Sequence, residues 1–136
     1  MTEQILVATP KPRGESSKVE IGYWGGDQRE KIKASAVDAG ARVRDRIQSE
    51  IDKGVSRFLV DLSEVQWLTS AWLGWLVAWQ RLAEQGGGRI AFAGVNDGIK
   101  KILDATRLSG WLQVFDTIPI ALDYLQGKDE KSQKDS

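Results

Sequence analysis

The chain has 136 residues with 19 Lys and Arg balanced by 19 Asp and Glu, a length that fits one core and a balance that leaves no basic field to draw a nucleic-acid backbone. It is 41% hydrophobic and 28% charged, in the range of soluble globular proteins, and no run approaches the ~20 apolar residues of a membrane span, so a cytoplasmic protein is expected. Cys and His are both absent, which removes disulfides, thiolate or imidazole metal sites and every Cys–His or Ser–His catalytic arrangement; with no carboxylate pair placed by spacing, neither an enzyme nor a cofactor is expected.

Residues 5–9 form a short apolar run ended by Pro10 and Pro12, which predicts an edge strand or a loosely attached arm within an N-terminal stretch, 1–18. Residues 19–24 alternate, with Val19, Ile21 and Tyr23 on one strand face, and stop at the turn signal Gly25-Gly26. Over 36–51, Ala36, Ala39, Val43, Ile47 and Ile51 recur at steps of three or four and predict an amphipathic helix closed near Gly54. Residues 58–62 follow as a buried strand. Thr69 and Ser70 then precede the strongest helical pattern, 71–85, with Trp72, Trp75, Leu76, Trp79, Leu82 and Ala83 on one broad face.

Glycines 86–88 end that helix, and 89–93 resume as a strand. Asn96 or Asp97 caps a further helix through Ile99, Ile102, Leu103 and Ala105. The apolar stretch 111–115 leads to a last helix around 118–125, with Pro119 tolerated in its first turn. Residues 127–136 carry no apolar side chain, so a disordered charged tail is expected after a domain spanning 19–126. Alternation of strand and helix over short connections implies parallel neighbours in one sheet, joined by right-handed crossovers.

Three features are candidates for function. Glycines 86–88 run from helix to strand, the reverse of a phosphate loop, and read as a turn. At the strand-to-helix junction 65–74, a hydroxyl of Thr69 or Ser70 lies at a helix N-terminus. There it either caps the helix or accepts a phosphoryl group into the positive end of the dipole. Of the six tryptophans, Trp75 and Trp79 are expected in the core with Trp67 as a strand residue facing them. Trp72, beside the hydroxyl pair, is either buried or a partly exposed partner anchor.

The stretch 58–125 resembles a STAS domain, the fold of anti-sigma-factor antagonists. Val60-Asp61-Leu62 matches the strand end of that family, Thr69-Ser70-Ala71-Trp72-Leu73-Gly74 its Asp-Ser-Ser-Gly-Leu-Gly helix opening, and residues 85–95 its glycine turn and second strand. Residues 99–108 are similar to the next helix. The resemblance implies a single α/β domain with a mixed central β-sheet of four to five strands and helices packed mainly on one face. It implies partner switching with an anti-sigma factor that is also a serine kinase, phosphorylation at Ser70, and partner binding through Ala71, Trp72, Leu73 and Gly74. Two positions depart: the family acid is Thr69, a second possible acceptor, and the family glycine is Trp72. Two other readings keep the fold: a non-phosphorylated subunit docking on the ATPase of a lipid-transport ABC system, and a small-molecule sensor using the tryptophans.

Overall fold

The computed structural model describes residues 4–13 and 16–127; the expected disordered tail, apart from Gly127, lies outside them. In chain order the elements are β1 (Ile5–Arg13), β2 (Ser16–Tyr23), β3 (Arg29–Ser35), α1 (Ala36–Asp52), β4 (Arg57–Asp61) and α2 (Ser70–Gln85). They continue with β5 (Arg89–Ala93), α3 (Asp97–Ala105), a 3-10 turn (Leu108–Gly110), β6 (Val114–Phe115) and α4 (Ile118–Leu125). The six strands form one mixed sheet in the order β3-β2-β1-β4-β5-β6. β1 and β3 run antiparallel to β2, whereas the β1–β4, β4–β5 and β5–β6 pairs are parallel.

The α/β class and mixed sheet are as expected, and the count of six strands corrects the expected four to five. The extra strand is β3, whose sequence REKIKAS buries only Ile32. A charged edge strand carries almost none of the apolar alternation by which strands are read.

β1 is also not the edge strand or loose arm expected of residues 5–9, because it lies between β2 and β4. Its pairing with β4 covers only Ile5 to Ala8, whereas its pairing with β2 extends to Arg13. Ile5 O accepts from Trp24 N, 2.8 Å away on the β2 side, so by the two-residue alternation Pro10 and Pro12 turn their missing donors away from β2. They fall where β4 has already ended, and the prolines cost the sheet no ladder bond.

Helices α1, α2 and α3 cover one face of the sheet through a continuous core that includes Val19, Ile21, Val43, Ile47, Phe58, Val60, Leu76, Trp79, Ile90, Phe92, Ile99 and Leu103. α4 covers part of the other face, packing Ala121 and Leu125 on Ile5, Val7, Leu59, Ala91 and Ala93. Each helix starts at a side-chain cap: Ser35 accepts from Asp38 N, Thr69 from Trp72 N, Asn96 from Ile99 N and Thr117 from Ile120 N. Such caps each contribute about 1 kcal/mol relative to Ala. The chain leaves α1 through Gly54 at φ 96°, a left-handed conformation that a Cβ would strain.

α1 and α2 meet closely at Gly40. Trp79, fully buried, donates its indole N–H to Gly40 O at 3.1 Å, while Trp75 lies where a Cβ on Gly40 would stand, its Nε1 2.1 Å from that position. Burying an aromatic of this size removes about 200 Å² from water and stabilises by about 5 kcal/mol as an upper bound. Trp75 itself is only half-buried, with the Arg44 guanidinium 5.6 Å over its ring.

Two polar side chains inside this layer are satisfied. Glu50 on α1, fully buried, accepts from the Tyr23 hydroxyl of β2 and from Arg46 Nε at 2.9 Å. Burial alone would push its carboxyl up, but the hydrogen bonds from Tyr23 and Arg46 outweigh that and hold it below its ordinary 4.5. The same bond to Glu50 holds the Tyr23 hydroxyl above its ordinary value. Gln80 on α2 donates to Trp111 O at 2.8 Å and accepts from Gln113 N at 2.9 Å, fastening the approach to β6 against α2.

Candidate functional site

The junction between β4 and α2 is a β-to-α corner built by the chain around it. Leu62 N donates to Ala93 O at 2.8 Å, prolonging the β4–β5 pairing by one residue. Asp61 Oδ1 then accepts from Ser63 N at 3.0 Å, and Val65 N donates to Leu62 O at 3.0 Å, so the chain turns as it leaves the strand. Leu62, Val65 and Leu68 point into the core and pin the loop from below. Ser63, Glu64, Gln66 and Trp67 between them are exposed. Gly94, at φ 80°, passes so close that a Cβ there would stand 3.2 Å from Ser63.

Asn96 fixes the loop from the side. Its Oδ1 caps α3 by accepting from Ile99 N at 2.8 Å. Its Nδ2 donates to Val65 O at 3.3 Å and Gln66 O at 3.2 Å. One amide thus ties the start of α3 to the lead-in of α2, using both ends of its donor and acceptor set.

The two hydroxyls at the start of α2 differ in what they do. Thr69 is the cap: its Oγ1 accepts from Trp72 N at 3.3 Å. Ser70 is the first helical residue, exposed, and among the described residues no protein group bonds its hydroxyl. It stands at the positive end of a 16-residue helix whose first turn carries no acid, a field that favours negative charge. Ala71 and Gly74 are exposed along the same outer surface, and Leu73 is half-buried.

Trp72 does not anchor anything from the surface. It is 3% exposed and packs edge-on against Trp79, ring centroids 5.9 Å apart. The helix boundary decides this: with Thr69 as cap, Trp72 falls on the inward face with Leu76, Trp79 and Ala83. The exposed indole is Trp67, at 62%, which corrects its expected place in the core. It borders a cleft of about 90 Å³ lined also by Pro12, Ala36, Gln66, Thr69 and Trp72. The sequence offered a weak signal for this, since Val65 and Leu68 supply the buried positions and leave Trp67 between them. The bonds from Asn96 to the loop carried no sequence signal beyond its capping role.

Among the described residues no group of three or more His, Cys, Asp or Glu side chains is placed to hold a metal ion, and none of their helices is long and apolar enough to cross a membrane. Glycines 86–88 connect α2 to β5 as a turn, with Gly87 at φ 78° and Gly88 pressed to within 2.6 Å of Ser56 O at its would-be Cβ. The corner therefore offers a free alcohol, a helix dipole and an exposed aromatic.

Comparison with known proteins places these elements in a wider set. The family model described as "Mlab, STAS domain" matches residues 36–115, from the start of α1 to the end of β6. A protein of Thermotoga neapolitana named "Putative anti-sigma factor antagonist TM1081 homolog" is 31% identical over 78 residues, covering 57% of this chain and 69% of that protein. The crystal structure of TM1081 from Thermotoga maritima, titled as that of a "putative anti-sigma factor antagonist", superposes with a TM-score of 0.58 at 23% identity, covering 66% of this chain and 78% of that one. The NMR structure of TM1081 gives 0.60 at 23% identity, with 66% and 73% covered. These structures share the fold.

Proposed function

Because the chain belongs to the STAS domain family, we propose that it is a cytoplasmic anti-sigma-factor antagonist of the partner-switching kind, which binds an anti-sigma factor acting also as its serine kinase. In the unmodified state the partner docks on the outer surface at the start of α2, over Ser70, Ala71, Leu73 and Gly74, with Trp67 beside it. Phosphorylation of Ser70 then ends the binding.

The observation that carries this reading is the contrast between the two alcohols. Thr69 spends its oxygen on the helix cap, and Ser70, one residue on, is exposed with its hydroxyl unengaged. A phosphoryl group on Ser70 adds about −1.5 to −2 charges. The helix N-terminus stabilises that charge locally, while a partner surface matched to a neutral, small-residue helix start is repelled. The chain itself performs no chemistry: Ser70 supplies the acceptor oxygen and the partner supplies catalysis.

The test is capture of the partner from the source cells on the immobilised full chain, followed by intact-mass analysis after incubation with that partner, ATP and Mg²⁺. A gain of one phosphoryl group that disappears in Ser70→Ala and persists in Thr69→Ala is the expected result. No gain, or a gain retained in the Ser70→Ala, Thr69→Ala double variant, overturns it.

A second reading keeps the docking surface and drops the modification. It is favoured by the match to the Mlab family model and by Thr69 standing where the resembling family has an acid. Capture of a transporter ATPase with no kinase selects this reading over the first.

A further inference from the structure

α4 covers only the β4, β5 and β6 side of its face of the sheet, together with Ile5 and Val7 at the start of β1. The described residues leave the rest of that face, over β1, β2 and β3, open, and the register sets its composition. Lys11, Lys18 and Lys33 stand side by side across the three strands. Thr9, Glu20 and Lys31 form the next row, and Arg29 lies beyond, opposite Gly22. Val19, Ile21, Ile32 and Ala34 point to the opposite, helix-covered face, which fixes the orientation of the alternating set. Among the described residues, five cations therefore share this face with Glu20, and Glu64 lines the same hollow as Lys11, Lys18 and Lys33, in a chain with no net charge.

Glu20 is spoken for by Lys11 at 2.9 Å and Lys18 at 3.6 Å, and these lysines hold its carboxyl below the ordinary range. Arg29, Lys31 and Lys33 have no ion pair among the described residues. All three lie on β3, the edge of the sheet, and all three are exposed. β3 is seven residues long and among the described residues pairs only with β2, so every second N–H and C=O along it points outward. The opposite edge, β6, is two residues long and offers no comparable template.

We propose that the open edge of β3 receives an acidic extended segment of a partner protein as a seventh strand, with Asp or Glu at alternate positions set against Arg29, Lys31 and Lys33. Added strands lie about 4.8 Å from the edge, and alternate residues recur about every 6.8 Å, so three acids in an acid-x-acid-x-acid pattern meet the three cations in register. The main-chain ladder supplies affinity and the charges supply selection. The intervening residues face Ile32 and Ala34, with Glu30 already paired to Arg46 at 2.6 Å, so small or apolar side chains suit them.

The same cations exclude other occupants. A second copy pairing antiparallel about Ile32 would set Lys31 against Lys33 twice, a repulsive arrangement that edge lysines commonly enforce.

The experiment uses the full chain and a peptide of alternating Glu and Thr longer than β3, with its Lys–Thr counterpart and a version N-methylated at every second residue. Saturable binding of the Glu–Thr peptide alone, weakening with salt and protecting β3 amides from exchange, is expected. Affinity should fall about tenfold in Lys31→Glu, Lys33→Glu, and by less in Lys31→Gln, Lys33→Gln, both checked for native circular dichroism. Equal binding of the N-methylated peptide, equal binding to the charge-reversed protein, or no binding overturns the proposal. So does a concentration-dependent dimer through β3, or anionic vesicles or duplex DNA taking these lysines in place of the peptide.

Discussion

Replacing Gly40 by Ala sets two effects of opposite sign against each other. In a helix interior the change gains up to about 1 kcal/mol, because Gly loses more backbone freedom on folding. At this position the new Cβ would stand 2.1 to 2.3 Å from three atoms of the Trp75 indole, whereas carbon atoms rest about 3.5–4.0 Å apart. The ring must withdraw by more than an ångström, between the Arg44 guanidinium on one side and α1 on the other. Overpacking of this kind costs about 1–3 kcal/mol, and a rigid ring puts it in the upper part of that range. The net expectation is a loss of about 1–2 kcal/mol, or about 3–8 °C in Tm for a domain of this size.

Gly74, on α2 and exposed, has nothing within 4 Å of its would-be Cβ. Gly74→Ala should therefore raise stability by up to about 1 kcal/mol. Thermal and urea unfolding of the two variants read the opposite signs directly. In the Gly40→Ala background, Trp75→Leu should recover part of the loss, with a coupling of about 1 kcal/mol or more. If Gly40→Ala melts at or above the parent temperature, the packing at the α1–α2 crossing is not as described and the reasoning fails.

Thr69→Ala should cost about 1 kcal/mol of stability through loss of the cap, whereas Ser70→Ala should leave the urea midpoint within about 0.5 kcal/mol of the parent; equal losses would contradict the division of labour between the two alcohols. Asn96→Ala removes both the α3 cap and the two bonds to the 65–66 carbonyls, so a loss of about 1–3 kcal/mol is expected, with faster amide exchange across residues 66–69; exchange unchanged there would refute its bracing role. The Glu50 network gives a pH signature. Because the carboxyl is held below 4.5 when folded, its contribution is fully present above that value and is lost as pH falls through the lower folded value. Because the Tyr23 hydroxyl is held above 10.0, its contribution is present below 10.0 and is lost as pH rises through the folded value. Tyr23→Phe should flatten the alkaline arm of a stability-against-pH curve, and an unchanged arm would rule out the linkage.

Patterning carried most of the helical layer. Leu76, Trp79 and Ala83 recur at helical steps and are all buried, and the α1 stripe of Ala39, Val43 and Ile47 lies in the same core. What patterning missed depends on neighbours that are distant in sequence. β1 reads as an edge from its prolines, yet it is interior, and its pairing with β4 stops at Ala8 and leaves Pro10 and Pro12 unopposed on that side. β3 carries no strand signal because an edge strand over a helix needs one buried residue, not four. Trp75 shares the apolar face by spacing, yet it sits across Gly40 at the rim of the core. At the site, a single residue of helix phase separates a buried Trp72 from an exposed one, and sequence sets such boundaries only to a few residues.

The uneven burial of the six indoles gives the molecule its own optical labels. Trp79 and Trp72 sit in the dry interior, whereas Trp67, Trp24 and Trp111 are 62%, 47% and 38% exposed. Emission from the first pair should lie to the blue and resist acrylamide; the exposed three should emit to the red and quench readily. Among those three, Trp67 alone flanks the opening of α2, so with Trp24 and Trp111 replaced by Phe, a ligand arriving there would announce itself as lost quencher access without any attached dye.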